Sequence, residues 1–265
     1  MKTGFRVFLA ALLTLGASWC GFVLGPVLQL GTEKQTTILN SSDLYPVGRP
    51  GMASQGLQVY RANGCVTCHT EQVRQEGVAC EVVLTSLGKN PTAVSNLLAS
   101  LKLSGVTKED ADAAADQITA AGGKSETRVV ATGADIARGW GVRGSVAADY
   151  LYDVPVQLGS LRAGPDLSNI AVRSPDLNWQ LVHLYAPQAV VKNSAMPPFR
   201  YLFELRKIAG VTSKDALQFP KDYALPAGYE VVPTPEAKQL ASYLLSLKSD
   251  APLYEAPFTP AMTKP

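Results

Sequence analysis

The chain has 265 residues, with 24 lysines and arginines against 22 acids, a formal charge of +2. So small an excess gives no case for nucleic acid, and none is expected as a partner. From Val7 to Leu28 no residue is charged, a run of about 22 residues, enough to cross a hydrocarbon core of about 30 Å. Lys2 and Arg6 precede it, which places the N-terminus in the cytoplasm and the rest of the chain outside. A cleaved signal peptide is the rival reading. The run is longer than a signal core, and bulky Trp19 before Cys20 spoils a lipoprotein-like cleavage box. A retained anchor over residues 1–30 is therefore expected. Gly16, Gly21 and Gly25 could give a close helix contact in the membrane. The chain beyond the anchor is long enough for one or two domains with a real core.

Residues 31–53 are polar and rich in Thr, Ser, Gly and Pro, and read as a linker. Residues from Ser54 to Asn63 predict a short helix, with Ser54 as N-cap, Leu57 and Tyr60 on one face, and Gly64 ending it. Directly after it stands Cys65-Val-Thr-Cys68-His69. Cys-x-x-Cys-His is the attachment site of a c-type haem: each thiol adds to a vinyl group, and the histidine is held against the iron. With four Cys and two His in the chain, chance supplies the pentapeptide about once in 2,000 such sequences. A dithiol pair does not require the histidine. A zinc site needs further ligands, and Cys20, Cys80 and His183 have no zinc-like spacing from the pair. One covalent haem c is the expectation. Cys80 reads as a buried small hydrophobe.

Further on, Thr234-Pro235-Glu236 is a helix start: cap, proline at the first position, acid in the first turn. Leu240, Tyr243, Leu244 and Leu247 form its apolar face. A helix just before the haem motif and an amphipathic one near the end resemble the pattern of class I cytochromes c. Candidates for the sixth iron ligand are Met52, His183, Met196 and Met262. Met196 is preferred, because the flanking prolines of Asn193-Ser-Ala-Met-Pro-Pro-Phe199 restrict its loop, and a thioether raises the potential. His183, in the apolar and helical-looking stretch Trp179–Tyr185, reads more readily as a packed residue. Gly164-Pro165-Asp166-Leu167 resembles the Gly-Pro-x-Leu segment of class I cytochromes c, which implies that the Pro165 carbonyl accepts the ring N–H of His69.

A narrower resemblance rests on Asn63–Arg74, Arg138-Gly-Trp-Gly-Val-Arg143, Asp149-Tyr-Leu-Tyr-Asp-Val-Pro-Val-Gln-Leu-Gly159, Gly164–Ile170, His183-Leu-Tyr-Ala-Pro187 and Ser194-Ala-Met-Pro, in that order. Together with the single N-terminal membrane helix, these segments are similar to the monohaem subunit (subunit II) of cbb(3)-type cytochrome c oxidases. The resemblance implies a mainly α protein: a transmembrane anchor, then a class I cytochrome c-like helical domain over residues 54–250, then a proline-rich tail, 251–265. It implies a bacterial inner-membrane location with the haem domain on the periplasmic side. Its implied partners are a dihaem cytochrome or other donor and the haem–copper catalytic subunit. The chain would carry electrons and make no substrate bonds itself. Arg74 and Arg143 are the favoured propionate contacts among Arg74, Arg138, Arg143, Arg162 and Arg173. Other readings are the small cytochrome subunit of a nitric oxide reductase, or a ligand-binding haem enzyme.

The sequence departs from that family between Glu76 and Val130. Val94, Leu97, Leu98 and Leu101 form a helical stripe there, Thr107–Asp110 starts a second helix, and Gly122-Gly123 ends it. An inserted helical hairpin is expected at about 76–130.

Overall fold

The computed structural model describes residues 2–38 and 44–251. Met262 and the tail beyond residue 251 lie outside the described residues. The chain forms two compact units, Met1–Gly48 with Val146–Val156, and Arg49–Ser145 with Gln157–Pro265.

The first unit begins with α1 (Lys2–Trp19), a π-helical turn (Cys20–Leu24) and α2 (Gly25–Leu30). Pro26 explains the π turn. It has no N–H for the carbonyl of Phe22, and Gly25 instead reaches five residues back to Cys20 O. Residues Thr3–Leu30 make a helix long and apolar enough to cross a membrane. The polar stretch after it is folded where composition suggested only a linker. Strands β1 (Thr36–Thr37) and β2 (Leu44–Tyr45) pair antiparallel, and Gln35 Nε2 donates to Pro46 O at 2.9 Å. Tyr45 Oη donates to Asp149 Oδ1 at 2.8 Å, tying this stretch to the 3₁₀ turn Ala147–Tyr150.

The second unit opens with α3 (Met52–Ala62). Its N-cap is Gly51, with φ of +65°, so Ser54 is not the cap. It lies in the first turn, because Met52 and Ala53 continue the helix upstream. An insertion comes next: β3 (Gly77–Ser86), α4 (Pro91–Leu98), β4 (Ser104–Val106), α5 (Lys108–Ala120) and β5 (Lys124–Thr132). Both expected helices are present, and Thr107 caps the second by accepting from Asp110 N at 3.2 Å. They do not form a bare hairpin. Each joins strands of an antiparallel sheet in the order β4-β3-β5. The physical reason is burial: an 8-residue and a 13-residue helix need an apolar surface to cover. Cys80, Val82 and Val106 supply it beneath Ala111, Ala114 and Ile118.

The rest of the unit comprises α6 (Ala134–Ala137), α7 (Ile170–Arg173), α8 (Leu177–Tyr185) and α9 (Pro187–Val190). A hairpin, β6 (Phe203–Lys207) with β7 (Tyr229–Pro233), and then α10 (Pro235–Leu244) complete it. Asp176 caps α8 by accepting from Trp179 N at 2.5 Å. Thr234 caps α10, accepting from Ala237 N at 3.4 Å. The chain is mostly helical with some sheet. Its main core joins Leu57 and Tyr60 of α3, Leu181, Val182 and Leu184 of α8, and Leu240, Tyr243, Leu244 and Leu247 in and after α10. Helices α3 and α10 touch at Gly56. A Cβ there would stand 2.0 Å from Gln239 O, so only hydrogen permits the approach.

Candidate haem site

Gly64, with φ of +66°, turns the chain out of α3 into the 3₁₀ turn Cys65–Thr67. Cys68 N and His69 N both bond Cys65 O, at 3.1 and 3.0 Å. This turn gathers both thiols and the imidazole within five residues. All four cysteines are free thiols, with Cys65 half-buried and Cys68 exposed. Burial pushes the Cys65 thiol up to about 12, so it is protonated at neutral pH.

A second segment runs alongside. Gly164 N donates to Cys68 O at 2.9 Å, and Leu167 N to Thr70 O at 2.8 Å. Between these two bonds, His69 Nδ1 lies 2.8 Å from Pro165 O. A carbonyl only accepts, so Nδ1 carries the proton and Nε2 offers a lone pair. Among the described residues Nε2 has no hydrogen-bond partner. Burial lowers the pKa of His69, against the opposing Pro165 bond, which keeps the ring neutral and fit to bind a metal. Gly164 lies flat against the imidazole: a Cβ would come 2.3 Å from Cε1. Gly159, φ +69°, lies equally close to the His69 carbonyl.

Met196 is half-buried and packs on the main core, as do Cys65 and Val66. Its loop is clipped to α8 and the residues after it: Phe199 N donates to Leu184 O at 2.8 Å and Gln188 Nε2 to Ser194 O at 3.2 Å. His183 stacks on Trp179 with centroids 4.9 Å apart and planes 4° from parallel. Its Nδ1 is buried without a partner among the described residues. Burial, then the neighbouring His69, push its pKa down to about 4.

The arginines divide. Arg74 has its side chain exposed, while its backbone N donates to Asp135 Oδ2 at 2.8 Å. Arg143 is buried, giving Nε to Ala251 O at 2.8 Å and Nη1 to Gly144 O at 2.9 Å. Those bonds tie Arg143 to the backbone at Gly144 and Ala251. Arg162, which the sequence does not single out among the five arginines, is the hub of a buried network. It reaches Thr70, Asp135 and the carbonyl of Gln72. Nor does the sequence point to Glu71, which accepts from Tyr243 Oη at 2.7 Å in the core beside Tyr60. Burial and Glu71 push the Tyr60 hydroxyl far up.

These residues fit a haem on their own chemistry. A tautomer-fixed imidazole with a free Nε2 sits in a glycine cradle beside two free thiols, and a thioether loop packs on the same core. A monohaem cytochrome domain is the class of protein in which this set is at home. Residues 133–241 match the model of the family described as cytochrome C oxidase, mono-heme subunit/FixO. Over that stretch the chain carries the pattern of the monohaem subunit of cbb(3)-type oxidases. The match takes in Pro165, His183 and Met196 and begins just after β5, where the insertion ends. No curated protein sequence matches the chain.

Proposed function

We propose that the chain passes electrons, one at a time, to the haem–copper catalytic subunit of a terminal oxidase. Cys65 and Cys68 would hold one haem c through thioether bonds, with His69 and Met196 as the side chains that would bind its iron. The haem supplies a reversible one-electron couple when bound. Pro165 orients His69, and the α3 and α10 pair closes one side of the crevice as in class I cytochromes c. The helix over residues 3–30 anchors the domain with its haem on the periplasmic side of the bacterial inner membrane. A dihaem cytochrome or another carrier supplies the electron. Residues 54–250 form the haem domain, interrupted at about 76–130, and the anchor and linker precede it. Arg74, with an exposed guanidinium, is kept as a propionate contact. Arg143 ranks behind it, since its Nε and Nη1 are turned to the carbonyls of Ala251 and Gly144.

The observation that carries this reading is the 2.8 Å contact between His69 Nδ1 and Pro165 O. It joins the haem motif to the stretch that matches the oxidase-subunit family. Purification from membranes through a tag on this chain tests it. A haem–copper subunit should co-purify, with haem bound to this chain through thioether bonds. Recovery without that subunit would refute the assignment.

A further inference from the structure

Asp166 directly follows the acceptor of His69, and Thr70 directly follows His69 itself. One carboxylate holds both sides. Asp166, fully buried, accepts from Thr70 Oγ1 at 2.5 Å and from Gln72 N at 2.9 Å through Oδ2. Its Oδ1 accepts from Ser168 N at 2.8 Å, and its backbone carbonyl accepts from Arg173 Nη2.

Arg162 closes the network. Its Nε donates to Thr70 Oγ1 at 2.9 Å, and Nη2 lies 3.5 Å from Asp166 Oδ2. Nη1 donates to Asp135 Oδ1 at 2.9 Å, and Nη2 to Gln72 O at 2.6 Å. The indole of Trp140 faces the guanidinium at 5.1 Å. Two buried carboxylates, Asp135 and Asp166, are thus met by Arg162, while Arg173 holds the backbone carbonyl of Asp166. A charge buried at this depth stays only when paired and hydrogen-bonded. The arrangement exceeds what a turn needs, since Gly164 N and Leu167 N already pin the segment on backbone bonds.

We infer that Asp166, braced by Arg162, is a positioning residue for His69. This rests on the proposed haem ligation. The Pro165 carbonyl and the Asp166 nitrogen share one planar peptide, so anchoring Asp166 sets where that carbonyl points. Thr70 fixes the histidine's side to the same carboxylate. The network thereby holds the His69–Pro165 bond short. A short bond makes Nε2 a stronger donor, which favours the oxidised iron and lowers the potential.

The test uses the full-length haem-loaded protein, with Asp166→Asn, Thr70→Val and Thr70→Ser. Two quantities are read: the reduction potential and the proton resonance of His69 Nδ1–H in the reduced state. Asp166→Asn and Thr70→Val should raise the potential and move that resonance upfield. Thr70→Ser, which keeps the hydroxyl, should restore both. If Asp166→Asn does not fold, the Val and Ser pair decides alone. Haem-loaded variants with an unmoved potential and resonance overturn the inference while leaving the haem reading intact. A wild-type chain without thioether-bound haem overturns both.

Discussion

Gly164 lies against the ring of His69 so closely that a Cβ would stand 2.3 Å from Cε1, 2.7 Å from Nδ1 and 2.9 Å from Nε2. Its φ is not in the left-handed region, so alanine is conformationally allowed there. The ring is the obstacle. Gly164→Ala must push the imidazole off Pro165 or move the 164–167 segment off Cys68. We expect a loss of about 1–3 kcal/mol in stability, as for overpacking generally, and a lower yield of haem-loaded protein. Thermal unfolding and haem content per chain measure the two.

Gly56→Ala sets two effects against each other. Alanine is favoured over glycine in a helix interior by about 0.5–1 kcal/mol. The new Cβ would meet Gln239 O at 2.0 Å and Tyr243 Cβ at 2.8 Å, and backbone cannot swing aside as a side-chain tip can. The clash wins, and net destabilisation of about 1–3 kcal/mol is expected. Chemical denaturation of the wild type and variant checks the sign.

Met196→Leu keeps an apolar side chain on the core but removes the sulfur. On the proposed ligation, the oxidised protein loses its methionine–iron charge-transfer band. The potential falls, and the reduced protein gains carbon monoxide binding. A band that persists in the variant would assign the sixth position to another methionine, and a haem-loaded wild type without the band would point to His183.

Acid should cost stability through His183. Its folded pKa lies at about 4, below the ordinary 6.5. Above 6.5 neither folded nor unfolded chain binds the proton. Between 6.5 and 4 the unfolded chain binds it and the folded chain does not, so stability falls as pH falls, and below 4 the loss is complete. His183→Gln lacks this penalty. The unfolding midpoint of the wild type, relative to the variant, should drop as pH is lowered through that window.

The insertion should be separable. Gly77 pairs with Thr132 at its neck, and Glu76 N donates to Thr132 O at 2.9 Å. Its core of Cys80, Val82, Val106, Ala111, Ala114 and Ile118 is distinct from the main one. Replacing residues 78–131 with a short turn should leave haem incorporation intact, which the haem content per chain measures.

Where local signals are strong, the sequence is readable. Thr234-Pro235-Glu236 announces α10 because cap, proline and acid each act within one turn. Cys65–His69 raises the expectation of a haem because the chemistry sits in five residues. Gly-Pro-Asp-Leu announces the acceptor of His69, across 96 positions. The sheet of the insertion escapes notice although Val78, Cys80, Val82 and Leu84 alternate along β3. The helical stripe beside it is louder, and pairing with β5 is a long-range event. The Asp166–Arg162 network is illegible for a related reason. Its partners, Thr70, Gln72 and Asp135, are dispersed, and buried charge pairs leave no periodic mark. Ser54 misleads because serine favours caps, whereas Gly51 takes that place through its positive φ.

The central claim is that this chain delivers electrons to an oxygen-reducing partner. The most direct test is rapid mixing of the purified, fully reduced complex with oxygen while the c-haem absorbance of this chain is tracked. This haem should be oxidised within a single turnover, and in Met196→Leu, with its lower potential, its re-reduction by the donor should slow. A c-haem that stays reduced while the complex consumes oxygen would contradict it.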